Sequence, residues 1–197
     1  MDKRTIEAYD RWPGQYAEDW LNQPPPLDLY WLLSQHFRPG PTADIGCGAG
    51  RDAAWLHDSG LDVTGYDRSL GLLEEARRRY PAIAFAEAEL PDLVGVSDAS
   101  FENVLCETVI MHLPAADIPA AVRRLTRLLR AGGTLYLSWR VTTGKDVRST
   151  DDRLYSAFPA SLVLDTLEDA DVVHDSEETS QSSGRLVHRV VARRTGG

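Results

Sequence analysis

Hydrophobic and polar positions between residues 42 and 140 follow two different periods in turn. Short apolar runs, which favour β-strands, alternate with longer segments whose apolar residues recur every three or four positions, as on a helix with one buried face. The predicted strands are residues 43–45, 61–66, 83–86, 102–106 and 134–139, and the predicted helices are residues 51–59, 69–80 and 115–130. Because strands separated by helices require right-handed crossovers, this region predicts a parallel sheet covered by helices on both faces.

The N-terminal residues show only helical spacing. Residues 4–20 form an amphipathic arm with an aromatic stripe at spacings of three and four. The stripe consists of Tyr9, Trp12, Tyr16 and Trp20. The proline-rich residues 24–26 separate this arm from a second predicted helix over residues 27–37. The stripe predicts either a lid that closes over a ligand or ordinary packing against the body of the protein.

The C-terminal residues predict a different arrangement. After a helix near residues 162–169, two strands over residues 172–178 and 186–192 are joined by a polar loop that is short enough for an antiparallel hairpin. We therefore predict one α/β domain over residues 1–197. It consists of a helical arm (1–40), a doubly wound core (41–140) and a C-terminal loop, helix and hairpin (141–197).

The most informative segment is a glycine-rich loop between the first strand and the helix that follows it. Residues 44–52 read Asp-Ile-Gly-Cys-Gly-Ala-Gly-Arg-Asp. Glycines here let a ligand approach the backbone at the carboxyl edge of the sheet. The next strand ends in Asp67, and an acid at that position can accept both hydroxyls of a ribose. Loop, acid and strand–helix context together predict a site for a nucleoside-containing ligand.

Two classes of ligand fit such a loop. A dinucleotide site reads G-x-G-x-x-G and is shaped for a pyrophosphate. Here the third glycine comes one residue early, at Gly50, and Arg51 stands where the last glycine would be. Asp44 adds negative charge, which repels a pyrophosphate but suits a cation. S-adenosylmethionine carries a sulfonium and an ammonium and no phosphate, so the charge pattern favours it.

From about Thr42 to Arg140, and more loosely to the terminal hairpin, the chain resembles class I S-adenosylmethionine-dependent methyltransferases. The resemblance implies a mostly parallel, doubly wound seven-stranded sheet of order 3-2-1-4-5-7-6 that ends in an antiparallel hairpin. It implies that residues 44–50 bind the cofactor and that Asp67 holds the ribose. Residues 87–91, Glu-Ala-Glu-Leu-Pro, resemble the stretch that meets the adenine, where the family usually has Asp. Residues 106–114 resemble the segment that flanks the methionine moiety, and residues 127–133 resemble the L-x-P-G-G turn, with Ala131 in place of proline.

The residues expected at the cofactor, S-adenosylmethionine or its product S-adenosylhomocysteine, come from five stretches of the chain. They are Tyr16, Asp44, Gly46, Cys47, Gly48, Gly50, Arg51, Asp67, Arg68, Glu87, Ala88, Glu89, Leu90 and Cys106. Which of the two glutamates faces the adenine stays open.

Several of these positions have a plainer interpretation. Asp67 could instead be a helix-capping acid ahead of Ser69, whose own side chain is the predicted N-cap. Asp44 could bond the loop backbone or a methionine ammonium, and Arg51 could pair with the cofactor carboxylate or with a surface acid. We expect Cys47 to act only as a small filler that contributes its backbone.

Methyl transfer from a sulfonium is an in-line displacement that needs no metal and no covalent intermediate. Positioning lowers most of the barrier, and a base is required only if the acceptor starts protonated. His112 is the candidate base, although it could simply pack and bond a backbone carbonyl. Glu107 could take the same role or bind a substrate ammonium. Arg140, at the end of the fifth strand, could hold an anionic group of the substrate or form a salt bridge to the arm.

The composition of the chain limits the kinds of binding partner that we expect. The 197 residues carry a formal net charge of −9, which gives no footprint for nucleic acid. The 2 cysteines form no zinc-binding or disulfide pattern. No apolar run approaches the roughly 20 residues that span a bilayer, and the polar N-terminus does not resemble a signal peptide. We therefore expect a cytoplasmic protein with no metal, no membrane and no nucleic-acid partner; the oligomeric state stays open.

These observations lead to one main hypothesis and two alternatives. The main hypothesis is methyl transfer to a small-molecule acceptor, with residues 141–197 on the substrate side. Whether the acceptor atom is O, N, S or C stays open. The alternatives are an NAD(P)-dependent oxidoreductase on a similar fold and a non-catalytic module that binds S-adenosylmethionine.

Overall fold

The strands form a seven-stranded sheet and a separate two-stranded hairpin. The computed structural model describes residues 1–196, so the last residue of the predicted domain, Gly197, lies outside the described residues. The strands are β1 Pro41–Ile45, β2 Asp62–Asp67, β3 Ala84–Glu87, β4 Phe101–Cys106, β5 Leu129–Arg140, β6 Val147–Arg148, β7 Leu154–Tyr155, β8 Ala170–Thr179 and β9 Leu186–Arg194. The large sheet has the order β3-β2-β1-β4-β5-β9-β8, and β6 pairs with β7 alone.

The predicted topology is confirmed. β1 runs parallel to β2 and β4, β2 to β3, and β4 to β5. β9 is antiparallel to both β5 and β8. With β8 and β9 as the sixth and seventh strands of the sheet, this is the expected order 3-2-1-4-5-7-6. The carboxyl ends of β1, β2, β4 and β5 therefore meet at one edge of the sheet.

Helices cover both faces of the sheet. They are α1 Lys3–Arg11, α2 Pro13–Leu21, α3 Leu27–His36, α4 Arg51–Asp58, α5 Leu70–Arg79, α6 Ile118–Leu128 and α7 Ser161–Leu164. Because side chains alternate across a strand, Val104 joins an apolar cluster with α6 while its neighbour Leu105 joins another with α3, α4 and α5. The two apolar clusters sandwich the sheet. No helix within residues 1–196 is both long and apolar enough to cross a bilayer.

The N-terminal arm consists of two helices that break at Trp12. Asp2 caps α1 by accepting from the Thr5 backbone N–H at 2.9 Å, and Pro13 begins α2, where a missing N–H costs nothing. Trp12 is 61% exposed, so it does not share the buried side of the stripe. Tyr9, Tyr16 and Trp20 pack together over the sheet edge. The stripe therefore has three members on one side instead of the four that the spacing predicts.

Two predicted helices are longer than those observed. The helix predicted over residues 115–130 ends at Leu128, because the buried Leu129 pairs with Phe101 and begins β5. Gly132, expected in the turn before the strand, lies within β5 at φ +78°, next to a register shift. The helix predicted near residues 162–169 is reduced to Ser161–Leu164. The β6–β7 hairpin has no counterpart in the prediction.

Candidate active site

A cavity of about 440 Å³ lies at the carboxyl edge of β1, β2, β4 and β5. This is the edge at which open α/β sheets bind ligands, and the volume is that of a small-molecule site. One part of the cavity lining, the glycine-loop wall, is formed by residues 45–48, residues 67–69, Ala88 and Leu90. A second group of lining residues, the arginine wall, consists of His112, Arg140, Arg153, Tyr155 and Arg185. Tyr9, Tyr16 and Trp20 of the arm cover both walls.

The glycine loop is fixed by its own backbone. The N–H groups of Gly46 and Cys47 both donate to the Tyr66 carbonyl, at 2.7 and 3.0 Å. Gly46 and Gly48 adopt φ values of +75° and +54°. A Cβ on Gly46 would overlap the Val109 side chain, and one on Gly48 would lie 2.8 Å from the Trp20 ring. Both positions therefore need glycine for conformation and for space.

Asp67 connects the loop to the next helix. Its Oδ2 accepts from the Gly48 N–H and its Oδ1 from the Ser69 N–H, both at 2.8 Å. The Ser69 hydroxyl accepts from the Leu72 N–H at 3.2 Å, which confirms Ser69 as the N-cap. Asp67 also lines the cavity, and each of its oxygens has a further lone pair for a ligand. Burial raises the pKa of this carboxyl.

Asp44 lies behind the loop in the interior. It is buried, and its Oδ2 has no hydrogen-bond partner among residues 1–196. Burial raises its pKa well above the usual range, and the nearby Asp52 and Asp67 carboxylates add to the shift. That oxygen does not bond the loop backbone, so the plainer interpretation of Asp44 finds no support at that atom.

Arg51 pairs with its neighbour in sequence. Its guanidinium meets the Asp52 carboxylate through two contacts, Nε to Oδ1 at 2.9 Å and Nη2 to Oδ2 at 3.0 Å. Its Nη1 lies 3.5 Å from the Ser182 hydroxyl of the β8–β9 loop. Arg51 and Asp52 both line the cavity.

The residues expected at the adenine, 87–90, do not all line the cavity. Ala88 and Leu90 line the cavity, whereas Glu87 and Glu89 line an adjacent hollow. Both glutamates bind the Arg68 guanidinium, at 2.6 and 2.9 Å. Arg68 itself lines the cavity, so the ion pairs hold this arginine in place.

Of the remaining predicted cofactor residues, some line the cavity and others lie behind its wall. Tyr16 and Cys47 line the cavity, whereas Gly50 and Cys106 pack behind its wall. Burial raises the pKa of both thiols well above the usual range, so neither cysteine is a reactive thiolate. Tyr16 donates from its hydroxyl to Asp151, a residue beyond β6 that the sequence did not single out.

His112 is held at both ring nitrogens. Its Nδ1 lies 2.5 Å from the Leu154 carbonyl, which can only accept, so Nδ1 carries the proton. Its Nε2 then accepts from the Tyr9 hydroxyl at 3.2 Å. Burial lowers the pKa of His112 to about 4, which leaves the imidazole neutral at physiological pH. The ring is both packed against a carbonyl and connected to the cavity through Tyr9.

The other two catalytic candidates lie at the ends of neighbouring strands. Glu107 accepts a hydrogen bond from the Ser138 hydroxyl, and burial raises the pKa of its carboxyl. The Arg140 guanidinium lies over the Tyr155 ring, 4.8 Å from the centroid. No carboxylate in residues 1–196 lies within 4.0 Å of this guanidinium, so the alternative of a salt bridge to the arm is not observed.

Three residues of the arginine wall, Arg153, Tyr155 and Arg185, were missed by sequence reasoning. Arg153 lies 5.1 Å from the Tyr16 ring centroid and 5.4 Å from that of Tyr9, with its Nε 2.9 Å from Asp151. Arg185 precedes β9 in the terminal hairpin. A single arginine in a loop carries no periodic signal, so only the aromatic spacing of the arm hinted at what would meet Arg153.

The β6–β7 hairpin docks on the arm and completes the roof of the cavity. The Leu154 N–H donates to the Thr5 hydroxyl at 2.9 Å, and Arg148 binds Asp2 at 2.8 Å. Arg4 forms a further ion pair with Asp152. Arm and hairpin therefore contact each other directly over His112. Within the described part of the chain, no group of three or more His, Cys, Asp or Glu side chains is arranged to hold a metal ion.

Comparison with known proteins identifies similar domains. Residues 43–137 match a family model described as a methyltransferase domain. The chain is 28% identical over 143 residues to a ubiquinone biosynthesis O-methyltransferase of Xanthomonas campestris pv. campestris. The alignment covers 70% of this chain and 59% of that protein. It is 29% identical over 136 residues to a malonyl-[acyl-carrier protein] O-methyltransferase of Pseudescherichia vulneris, covering 68% and 53%. The chain thus spans just over half the length of these curated relatives.

A solved structure shares the whole fold. It is the 1,6-didemethyltoxoflavin-N1-methyltransferase of Burkholderia thailandensis, with 1,6-didemethyltoxoflavin and S-adenosylhomocysteine bound. The superposition has a TM-score of 0.73 at 21% sequence identity and covers 98% of this chain and 88% of that one. The resemblance seen in the sequence is thereby confirmed at the level of fold and matched domain.

Proposed function

We propose that the protein transfers a methyl group from S-adenosylmethionine to a small-molecule acceptor, because residues 43–137 match a family model described as a methyltransferase domain. The observation that carries this proposal is the bond between the Gly48 N–H and Asp67 Oδ2, at 2.8 Å. It places a glycine loop without room for side chains beside an acid able to bind a ribose. The same contact faces a cavity of small-molecule size.

The residues present fit such a cofactor. Gly46 and Gly48 line the cavity and present their backbone to it, and the buried Asp44 Oδ2 behind the loop is an acceptor without a partner among residues 1–196. We assign the ribose to Asp67, the adenine to Ala88 and Leu90, and the methionine part to the glycine loop with Tyr16 and Arg51. Acidic groups near the loop suit a cation better than a phosphate. When bound, the cofactor supplies an activated methyl group on a sulfonium.

The protein's own residues would position the acceptor and exclude water. Tyr9, Tyr16 and Trp20 would close the cavity as a lid. Arg140 would position the acceptor. A base role of His112 would pass through the Tyr9 hydroxyl, which occupies its Nε2, and Glu107 is the second candidate for proton transfer. These roles are proposals, as is the assignment of residues 1–40 as arm and lid.

The matched family favours methyl transfer over the oxidoreductase alternative. The non-catalytic alternative keeps one supporting observation, since the acceptor atom of His112 is already hydrogen-bonded. For partners, the net charge of −9 supports a small molecule over nucleic acid. Both cysteines are free and buried, and we propose the cytoplasm as the compartment.

The proposal is tested by ligand binding followed by turnover. S-adenosylhomocysteine should raise the melting temperature of the protein, because a ligand that binds only the folded state stabilises it, whereas NADH should not. Labelled S-adenosylmethionine should then transfer its methyl group to at least one member of a panel of phenols, carboxylic acids, amines and thiols. Stabilisation by NADH alone would identify an oxidoreductase. Binding of S-adenosylhomocysteine with no transfer to any acceptor would favour the binding module.

A further inference from the structure

The charges that line the cavity are unevenly distributed. Asp52, Asp67 and Glu107 line the cavity, and each already binds a neighbour: Arg51, the loop backbone and Ser138, respectively. Asp19 of the arm is an exposed acid that also lines the cavity. The arginine wall carries three guanidiniums. Three of the four lining acids are therefore already engaged within the protein.

Most arginines of the cavity have an acidic partner. Arg51 binds Asp52, Arg68 binds Glu87 and Glu89, and Arg153 lies 2.9 Å from Asp151. Within residues 1–196, Arg140 and Arg185 have no carboxylate within 4.0 Å of the guanidinium. The chain has 30 acidic residues against 21 basic ones, so a shortage of acids does not explain this.

The two arginines reach the cavity from neighbouring strand ends. Arg140 is the last residue of β5 and the cross-strand partner of Val187. Arg185 is an exposed residue in the bend immediately before β9, two positions before Val187. The antiparallel pairing of β5 with β9 therefore brings these two positions close together at the carboxyl edge of the sheet. All three residues line the cavity.

Arg140 is also held in a defined orientation. Its guanidinium lies over the Tyr155 ring at 4.8 Å, and its backbone N–H contacts the Met111 sulfur at 3.2 Å. Stacking of this kind stabilises a guanidinium without neutralising it. A fixed planar fork is the arrangement that binds carboxylates through two hydrogen bonds.

We propose that the methyl acceptor is an organic anion whose carboxylate binds between Arg140 and Arg185. This inference rests on the proposed function, since it assigns the class of substrate for the same cavity. The carboxylate is an anchor, because pairing with two guanidiniums lowers its nucleophilicity. A different atom of the acceptor is therefore the one that receives the methyl group.

The test measures binding of matched acid and amide probes to the protein saturated with S-adenosylhomocysteine. The probes are benzoate, 4-hydroxybenzoate and 4-hydroxyphenylacetate, each compared with its neutral amide by calorimetry. We expect the acids to bind more tightly than the amides and to weaken with added salt. Arg140→Gln and Arg185→Gln should each weaken acid binding by roughly 10- to 150-fold, as expected for the loss of a charged hydrogen bond. Arg140→Lys should recover only part of the loss.

The controls separate this inference from the proposed function. Arg130→Gln, an exposed arginine of the same strand β5 that does not line the cavity, should leave probe binding unchanged. The affinity for S-adenosylhomocysteine should stay at its wild-type value in all four variants. Acids that bind no more tightly than their amides would overturn the inference. So would Arg140→Gln or Arg185→Gln variants that lose S-adenosylhomocysteine, because the arginines would then hold the cofactor carboxylate. Failure of the wild type to bind S-adenosylhomocysteine would instead contradict the proposed function.

Discussion

The two walls of the cavity are built in different ways. The glycine-loop wall uses short stretches of chain between residues 45 and 90, and backbone N–H groups donate its defining bonds, from Gly46 to the Tyr66 carbonyl and from Gly48 to the Asp67 carboxylate. The arginine wall is assembled from side chains far apart in the sequence. Tyr9 meets His112 across 103 positions, and Tyr16 meets Asp151 across 135.

This difference separates what is fixed from what can vary. A wall whose shape depends on backbone conformation tolerates few substitutions, because the φ values and the steric space exclude most side chains. A wall made of side chains on loops and helix faces can change its chemistry while the scaffold stays the same. We therefore expect mutations in the first wall to act on folding and cofactor affinity, and mutations in the second to act on protonation and acceptor binding.

The largest effect is expected for Gly46→Ala. The substitution places Ala at φ +75° and forces its Cβ into Val109. Left-handed strain costs about 1–2 kcal/mol and overpacking about 1–3 kcal/mol, so the free energy of unfolding should fall by roughly 2–5 kcal/mol. Urea denaturation measures the change. Gly60→Ala is the matched control, since Gly60 has φ +89° but nothing within 4 Å of an added Cβ, and it should show the strain cost alone. Equal losses in both variants would mean that the loop is not crowded.

The same difference decides what the sequence could predict. The strands, the glycine loop and Asp67 follow from local patterns, and the strand order follows from the resemblance to the methyltransferase family. The structure brings them together as expected. The β6–β7 hairpin escaped prediction because strands of two residues have no period. The break of the arm at Trp12 is absent from the prediction, because the aromatic spacing continues across it. The position of Arg153 depends on that hairpin docking to the arm, a long-range contact that no local pattern encodes.

The second prediction concerns His112 of the arginine wall and its effect on the free energy of unfolding at acid pH. Burial lowers the pKa of His112 from 6.5 to about 4, so the folded state resists a proton that the unfolded state accepts. Stability from this group is complete above about pH 6.5 and is lost as the pH falls towards 4, by on the order of 3 kcal/mol. His112→Asn, whose amide can still donate to the Leu154 carbonyl, should flatten this part of the curve. Urea denaturation across this pH range measures it.

The control is His57→Asn, which removes an exposed histidine on α4. It should keep the wild-type loss of stability in this range. Carboxylates whose pKa is lowered in the folded state, such as Asp2 and Asp151, lose their contribution at still lower pH, so the two processes separate on the pH axis. An unchanged curve for His112→Asn would show that another group carries the acid sensitivity.

The third prediction returns to the glycine-loop wall. Asp67→Asn keeps one acceptor oxygen but loses the charge, so affinity for S-adenosylhomocysteine should fall by about 1.5–3 kcal/mol, or roughly 10- to 150-fold. Calorimetry measures the affinity. Asp62→Asn, at the exposed start of the same strand, is the control and should bind like the wild type. Undiminished binding of S-adenosylhomocysteine in Asp67→Asn would contradict the ribose assignment. It would also contradict the expectation that the glycine-loop wall determines cofactor affinity.

The smallest effect is expected where the arm meets the arginine wall. The Tyr9 hydroxyl donates to His112 Nε2, a bond that exists only while the imidazole is neutral. Tyr9→Phe removes this bond, so the pKa of His112 should rise from about 4 by roughly 0.5–1 unit, equivalent to about 1 kcal/mol. Histidine proton chemical shifts followed by NMR against pH report the change directly. Tyr16→Phe is the matched control, because its hydroxyl binds Asp151 and does not contact His112. If both variants leave the titration of His112 unchanged, the arm only covers the cavity; a shift confined to Tyr9→Phe makes the arm part of the chemistry of that wall.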